Sequence, residues 1–271
     1  MSQPSPADAL WFRRYRPARN ASVRLVCFPH AGGSAPFFLP VVAALSPRVD
    51  VVAVQLPGRQ DRRGEAPIDD LALLANRIYE ILRREPEMPT SFFGHSMGAI
   101  VAFELARRLE ADGRGPAHLF ASGRRAPSCW RDEQVHLLDD AGILAEVRKL
   151  DGTASSLLGD DEFMRAALPA LRADYRAIET YRCAPDVTVQ CPITALTGDS
   201  DPKTTLEEAR AWDQHTSGPF DIQVFAGGHF FLTEHTDEII KTLDQHFQAE
   251  RTRGQILPAA TPLRTAPVIR G

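Results

Sequence analysis

Six short apolar runs punctuate the chain, at 23–28 (VRLVCF), 49–54 (VDVVAV), 91–93 (SFF), 118–121 (HLFA), 193–196 (ITAL) and 222–225 (IQVF). Each is rich in β-branched or aromatic residues and each closes on glycine, proline or a polar turn, the pattern of a strand with its terminator. Between them, apolar positions recur with helical period over 37–45, 68–84, 99–109 and 204–215, and a final such stretch, 233–248, follows the last strand. Strands that are apolar almost throughout need cover on both faces, and strands alternating with helices are joined by crossovers. The pattern therefore predicts an α/β fold: a mostly parallel central sheet with helices on both faces.

One stretch breaks the alternation. From 129 to about 185 no strand pattern occurs, only two amphipathic helical patterns, VHLLDDAGILAEVRKL and DEFMRAALPALRADYRAIETY. Connections beyond about 12–15 residues usually carry function or are disordered, so this insertion is expected to form a helical lid at the C-terminal edge of the sheet. The alternative is that its helices simply complete the core. Past Ala249, with Pro258, Pro262 and Pro267 and no periodicity, residues 251–271 are expected to form a tail without fixed structure. A length of 271 residues suits one α/β unit, which gives a single domain over 1–250 with the lid inserted at about 129–185.

Composition narrows the function. With 44% hydrophobic and 24% charged residues the chain is globular rather than disordered, and a formal net charge of −4 supplies no basic field for a nucleic acid. Cys27, Cys129, Cys183 and Cys191 form no CxxC pair and have no histidine at zinc-ligand spacing. Neither a metal site nor a disulfide framework is expected, and a reducing intracellular setting fits. The start, MSQPSPADAL, lacks a basic segment followed by an apolar one, and no run approaches the about 18 apolar residues of a membrane span. The expectation is a soluble, cytoplasmic, monomeric protein with no membrane partner.

Chemistry enters at Gly94-His95-Ser96-Met97-Gly98, a G-x-S-x-G directly after an apolar strand and directly before a long helical pattern. A sharp strand-to-helix turn presents a strained serine with its neighbours crowded, so only glycine fits two positions either side. This is the nucleophile elbow of the α/β-hydrolase fold. A serine hydroxyl needs a base and a third group to orient that base, and in this fold they follow in the order Ser, Asp, His. One downstream strand ends in Thr197-Gly198-Asp199-Ser200-Asp201-Pro202 and the next in Ala226-Gly227-Gly228-His229. Of eight histidines, His229 is the candidate base, because its Gly-Gly approach lets the ring swing over the serine. His95, adjacent to the serine, would point elsewhere, and His30 could border the site. Asp201 is preferred to Asp199 as the acid, since the carboxylate must reach past the strand end while Asp199 is better placed to brace the turn.

Attack on an acyl carbonyl creates an oxyanion, for which two backbone N–H donors are needed. One is the N–H of Met97, after the nucleophile. The second is assigned to Ala31 in the glycine-rich loop Phe28-Pro29-His30-Ala31-Gly32-Gly33-Ser34. A phosphate-binding reading of that loop lacks both GxxxxGK and GxGxxG.

The strings CFPHAGGSA, LPGRQDR, GHSMGAIVAFELARRL, ASGRRAP, LPALRADYRAIETY, GDSDP and GGHFFL together resemble the type II thioesterases, the discrete editing enzymes that accompany polyketide synthases and nonribosomal peptide synthetases. The resemblance spans roughly residues 11–247. It implies Ser96 as nucleophile, Asp201 as acid, His229 as base, Ala31 and Met97 as oxyanion donors, and no cofactor. It also implies a substrate: an acyl group held as a thioester on the phosphopantetheine arm of an acyl or peptidyl carrier protein. Where the family carries G-G-T-P in the lid, this chain reads D-G-T-A at 151–154. Arg59, Arg62, Arg63, Arg124 and Arg125, placed after strands, offer a positive rim for an acidic carrier, or else a plain solvated surface. Two other readings stay open: a small-molecule carboxylesterase or lipase on the same fold, because the triad does not separate oxygen esters from thioesters, and a noncatalytic binding scaffold.

Overall fold

A computed structural model describes residues 8–151 and 161–256. Seven strands, β1 (Phe12–Arg13), β2 (Arg24–Phe28), β3 (Asp50–Val54), β4 (Thr90–His95), β5 (His118–Ser122), β6 (Ile193–Gly198) and β7 (Phe220–Phe225), form one sheet in the order β1-β3-β2-β4-β5-β6-β7. All pairings are parallel except that of β1 with β3. The six expected strands are present to within a few residues. The two-residue antiparallel edge strand β1 is additional, too short to leave a period in the sequence.

Helices α1 (Leu39–Leu45), α2 (Leu71–Leu82), α3 (Met97–Ala111), α4 (Asp140–Asp151), α5 (Asp161–Thr180), α6 (Leu206–Arg210), α7 (Phe231–Glu234) and α8 (Thr236–Ile256) complete the fold. Strand alternation sorts the core into two layers, because successive side chains point to opposite faces. Val26, Phe28, Val52, Val54 and Phe92 face α2, α3 and the buried Trp212, while Leu25, Cys27, Val51, Ala53 and Phe93 face α1 and α8. Strands β2, β3 and β6 are buried at every position, as continuous apolar runs require. Edge strand β7 is not: it is only partly covered, and Val224 is exposed.

Local signals set the boundaries. Asp70 caps α2, its Oδ1 accepting the Leu73 N–H at 2.7 Å, and Thr205 with Glu208 closes a reciprocal capping box on α6. The helical stretch expected over 204–215 divides into α6 and a tighter 3-10 turn, Ala211–His215. The insertion is helical, with α4 and α5 packed together through a small separate apolar cluster of Val135, Ile143, Leu168, Leu171 and Tyr175, while Ala177 and Ile178 near the end of α5 belong to the main core. The D-G-T-A turn at 151–154 falls almost wholly outside the described residues. Helix α8 continues through the start of the expected tail to Ile256, and 257–271 lie outside the described residues.

The chain runs from β2 to β3 on one side and returns to β4 on the other side of β2. Loops leaving β2 and β4 therefore part at the carboxyl edge, opening a crevice where ligands bind in such sheets. The loop after β2 carries Ala31 and the turn after β4 carries Ser96.

Candidate active site

Ser96 sits between β4 and α3 at φ +55° and ψ −119°, a conformation costing of order 1–3 kcal/mol that persists only where its surroundings over-determine it. Here they do. The Ser96 N–H donates to the Ser122 carbonyl at 2.8 Å and its carbonyl accepts the Ala99 N–H at 3.0 Å. The flanking glycines are sterically compelled: a Cβ on Gly94 would lie 2.2 Å from the Gly98 carbonyl oxygen, and one on Gly98 2.2 Å from that of Phe28. The elbow thus packs backbone to backbone against the end of β2, holding nucleophile and glycine-rich loop side by side.

His229, on the loop after β7, is 3% exposed. Its Nε2 lies 3.0 Å from Ser96 Oγ, and its Nδ1 lies 3.0 and 2.9 Å from the two carboxylate oxygens of Asp201. The acid loop is braced in turn, since the Lys203 N–H donates to Asp201 Oδ1 at 2.8 Å. Asp199 is exposed and accepts the Gly227 N–H at 3.0 Å instead, a brace between the acid and base loops. Those loops touch closely, because a Cβ on Gly198 would fall 2.4 Å from the carbonyl oxygens of both Gly227 and Gly228. Ser96, His229 and Asp201 are thereby brought into one hydrogen-bonded chain, with the serine half-buried and its two partners buried.

The other nearby imidazoles are unsuited to proton transfer. His95 is buried with Nδ1 3.1 Å from the Ser122 hydroxyl, and burial, followed by the neighbouring His229 charge, pushes it well below the usual histidine range. His30 borders the site, its ring packed edge-on against Phe37 and Phe230. Burial and then His229 lower it to about 3. Among these three only His229 meets a carboxylate, so a proton taken from Ser96 has one favourable place to rest.

A pH dependence of stability follows. In the unfolded chain these histidines titrate near 6.5; in the fold His30, and His118 on β5, are lowered to about 3. Between those values the unfolded state binds more protons, so stability is fully present above about pH 6.5 and falls as pH drops toward 3. At pH 5 the loss is on the order of 1–2 kcal/mol per histidine. Urea unfolding at pH 7 and pH 5 measures it; equal stabilities would mean that these rings accept protons in place.

The two oxyanion candidates lie on the turn after β4 and on the loop after β2. Met97 is the first residue of α3, where helical amides have no partner within the helix. In the glycine-rich loop the Gly33 N–H donates to the His30 carbonyl at 2.9 Å, with Gly32 at φ +75°. Among the described residues neither the Met97 nor the Ala31 N–H has a protein acceptor.

The expected arginine rim is corrected at three positions. Arg59, Arg62 and Arg125 are buried and each is paired with a carboxylate: Arg59 with the buried Asp174, Arg62 with the exposed Glu65 and Arg125 with the half-buried Glu133. A guanidinium taken out of water requires such a partner, so these three brace loops rather than face a carrier. Arg63 is exposed and Arg124 half-buried. Sequence reasoning also missed the ties between the helical insertion and the site. Lys203, beside the acid, bridges Glu133 at 3.3 Å and Glu146 of α4 at 2.6 Å.

Among the described residues no cluster of three or more His, Cys, Asp or Glu could hold a metal, and no helix is long and apolar enough to cross a membrane. The description of the thioesterase domain matches residues 23–247. The chain is 57% identical over 243 residues to a probable cadicidin biosynthesis thioesterase of Streptomyces griseus, covering 90% of this chain and 67% of the relative. It is 49% identical over 248 residues to the thioesterase PikA5 of Streptomyces venezuelae, covering 90% and 88%. It also superposes on the type II thioesterase BorB from the borrelidin biosynthetic cluster with a TM-score of 0.84 at 54% identity, covering 88% of this chain and 98% of that one.

Proposed function

The chain belongs to the thioesterase domain family, and from that premise we propose that it removes stalled or misprimed acyl groups from the phosphopantetheine arm of carrier proteins in a polyketide or nonribosomal peptide synthase. A structural neighbour of like length is a type II thioesterase from a biosynthetic cluster, and the protein is a thioester hydrolase rather than a general lipase. The observation that carries the mechanism is the unbroken hydrogen-bonded chain from Ser96 through His229 to Asp201.

In this reading Ser96 Oγ attacks the thioester carbonyl while its proton passes to His229 Nε2, and Asp201 stabilises the resulting imidazolium through Nδ1–H. The developing oxyanion takes the N–H groups of Met97 and Ala31. Collapse of the tetrahedral species breaks the C–S bond and His229 returns its proton to sulfur. With a thiol pKa near 8.5, the leaving group makes a modest demand on that acid. Water, deprotonated by His229, then attacks the acyl-serine, and collapse of the second tetrahedral species breaks the bond to Ser96 Oγ, which takes the proton back from His229 as the carboxylic acid leaves. Cys27 and Cys191 are free and buried, a use of cysteine that suits a reducing, cytoplasmic setting.

The test compares hydrolysis of an acyl-pantetheine thioester with its oxygen-ester analogue, and of acyl-loaded carrier protein with the free pantetheine. Thioester hydrolysis is expected to be faster, with carrier-bound substrate at least as good as the free arm. A large preference for the oxygen ester would replace the reading with a carboxylesterase.

A further inference from the structure

Asp174 belongs to lid helix α5, yet its carboxylate meets the oxyanion loop. It is 1% exposed. Its Oδ2 accepts the Gly32 N–H at 2.7 Å and Arg59 Nη1 at 2.6 Å, and its Oδ1 accepts Arg59 Nη2 at 2.9 Å. Arg59, 8% exposed, also donates to the carbonyls of Gly33 at 3.1 Å and Pro57 at 3.2 Å. One turn earlier on α5, Leu171 occupies the space a side chain on Gly32 would need: an added Cβ would lie 2.4 Å from Leu171 Cδ2. Three segments remote in sequence thus converge on one buried carboxylate.

The backbone donors of the turn are divided accordingly. Gly33 N–H goes to the His30 carbonyl and Gly32 N–H to Asp174, while the Ala31 N–H beside them has no protein acceptor among the described residues. We propose that Asp174 is a positioning residue for the hydrolysis, by which the seated lid helix holds the Gly32 amide and so aligns the Ala31 N–H for the oxyanion. Removing the carboxylate strands a buried N–H and a buried guanidinium, each costly to leave without an acceptor. The turn shifts to satisfy them, and the Ala31 amide moves with it. The proposal rests on the serine-hydrolase reading above, and it makes the lid part of the catalytic frame as well as a cover.

The experiment measures kcat and KM of wild type, Asp174→Ala and Asp174→Asn on a short acyl-pantetheine, which needs no carrier docking, with Ser96→Ala in parallel. Loss of an oxyanion donor costs about 10²–10³ in kcat. Misalignment is therefore expected to lower kcat about 100-fold in Asp174→Ala and about 10-fold in Asp174→Asn, whose carbonyl oxygen still reaches Gly32. KM should stay within about threefold, and the pH–rate profile should keep its apparent pKa because His229 and Asp201 are untouched. Asp174→Asn, nearly isosteric, gives the answer if the alanine variant does not fold. A folded variant with wild-type kcat, or a loss confined to KM, overturns the proposal. Turnover surviving in Ser96→Ala would instead overturn the reading beneath it.

Discussion

Replacing Ser96 with alanine is expected to lower kcat for acyl-pantetheine hydrolysis by about 10⁴–10⁶-fold while leaving the fold intact. The size follows from covalent catalysis: without Oγ there is no acyl-enzyme, and only the oxyanion donors and substrate binding remain, worth about 10³–10⁴ over water. The fold survives because alanine keeps the Cβ that the elbow already accommodates at φ +55°; only the hydrogen bond to His229 at 3.0 Å is lost. Its removal changes stability by about 1 kcal/mol. Steady-state turnover and labelling by a serine-directed fluorophosphonate read the outcome, with mass addition expected on wild type and none on the variant. Substantial turnover by a folded Ser96→Ala protein would end the assignment of the nucleophile, and wild type that resists labelling would favour a noncatalytic scaffold.

What the sequence discloses about this molecule depends on how far apart the interacting groups lie. Strands β2 to β6 are legible because burial on both faces writes a nearly continuous apolar run, and the elbow is legible because its two glycines answer a steric demand within five residues. The acid and base can be placed by chain order and strand ends, and Asp199 can be set aside because a carboxylate at the turn itself braces the backbone, as it does toward Gly227. Burial of Arg59 is a different matter. Its partner, Asp174, lies 115 residues further on in a stretch whose period announces only an amphipathic helix, so nothing local separates a solvent-facing guanidinium from one locked against α5. The same holds for Lys203 and Glu146, which join the acid loop to α4. Edge strand β1 leaves no trace for the opposite reason: two residues are too few to show any period.

Asp201→Asn is expected to lower kcat about 10⁴-fold with little change in KM, and the geometry here says why an isosteric change does so much. Asp201 Oδ1 accepts the Lys203 N–H at 2.8 Å and both carboxylate oxygens lie about as close to His229 Nδ1. In asparagine only one of those atoms remains an acceptor, and the fixed backbone donor of Lys203 draws it. The amide NH₂ then faces Nδ1, which must accept, so the ring proton moves to Nε2. That tautomer donates toward Ser96 Oγ instead of receiving its proton, and the imidazolium formed on attack would also lose its counter-charge. Asp199→Asn provides the contrast: its side-chain oxygen is engaged by Gly227 away from the imidazole, so kcat is expected to stay within about threefold of wild type. Turnover of the two variants on one acyl-pantetheine decides between the carboxylates. Were Asp199→Asn the crippled enzyme and Asp201→Asn the healthy one, the proton path drawn through His229 Nδ1 would have to be abandoned, because a base held by the wrong acid cannot present the lone pair that Ser96 requires.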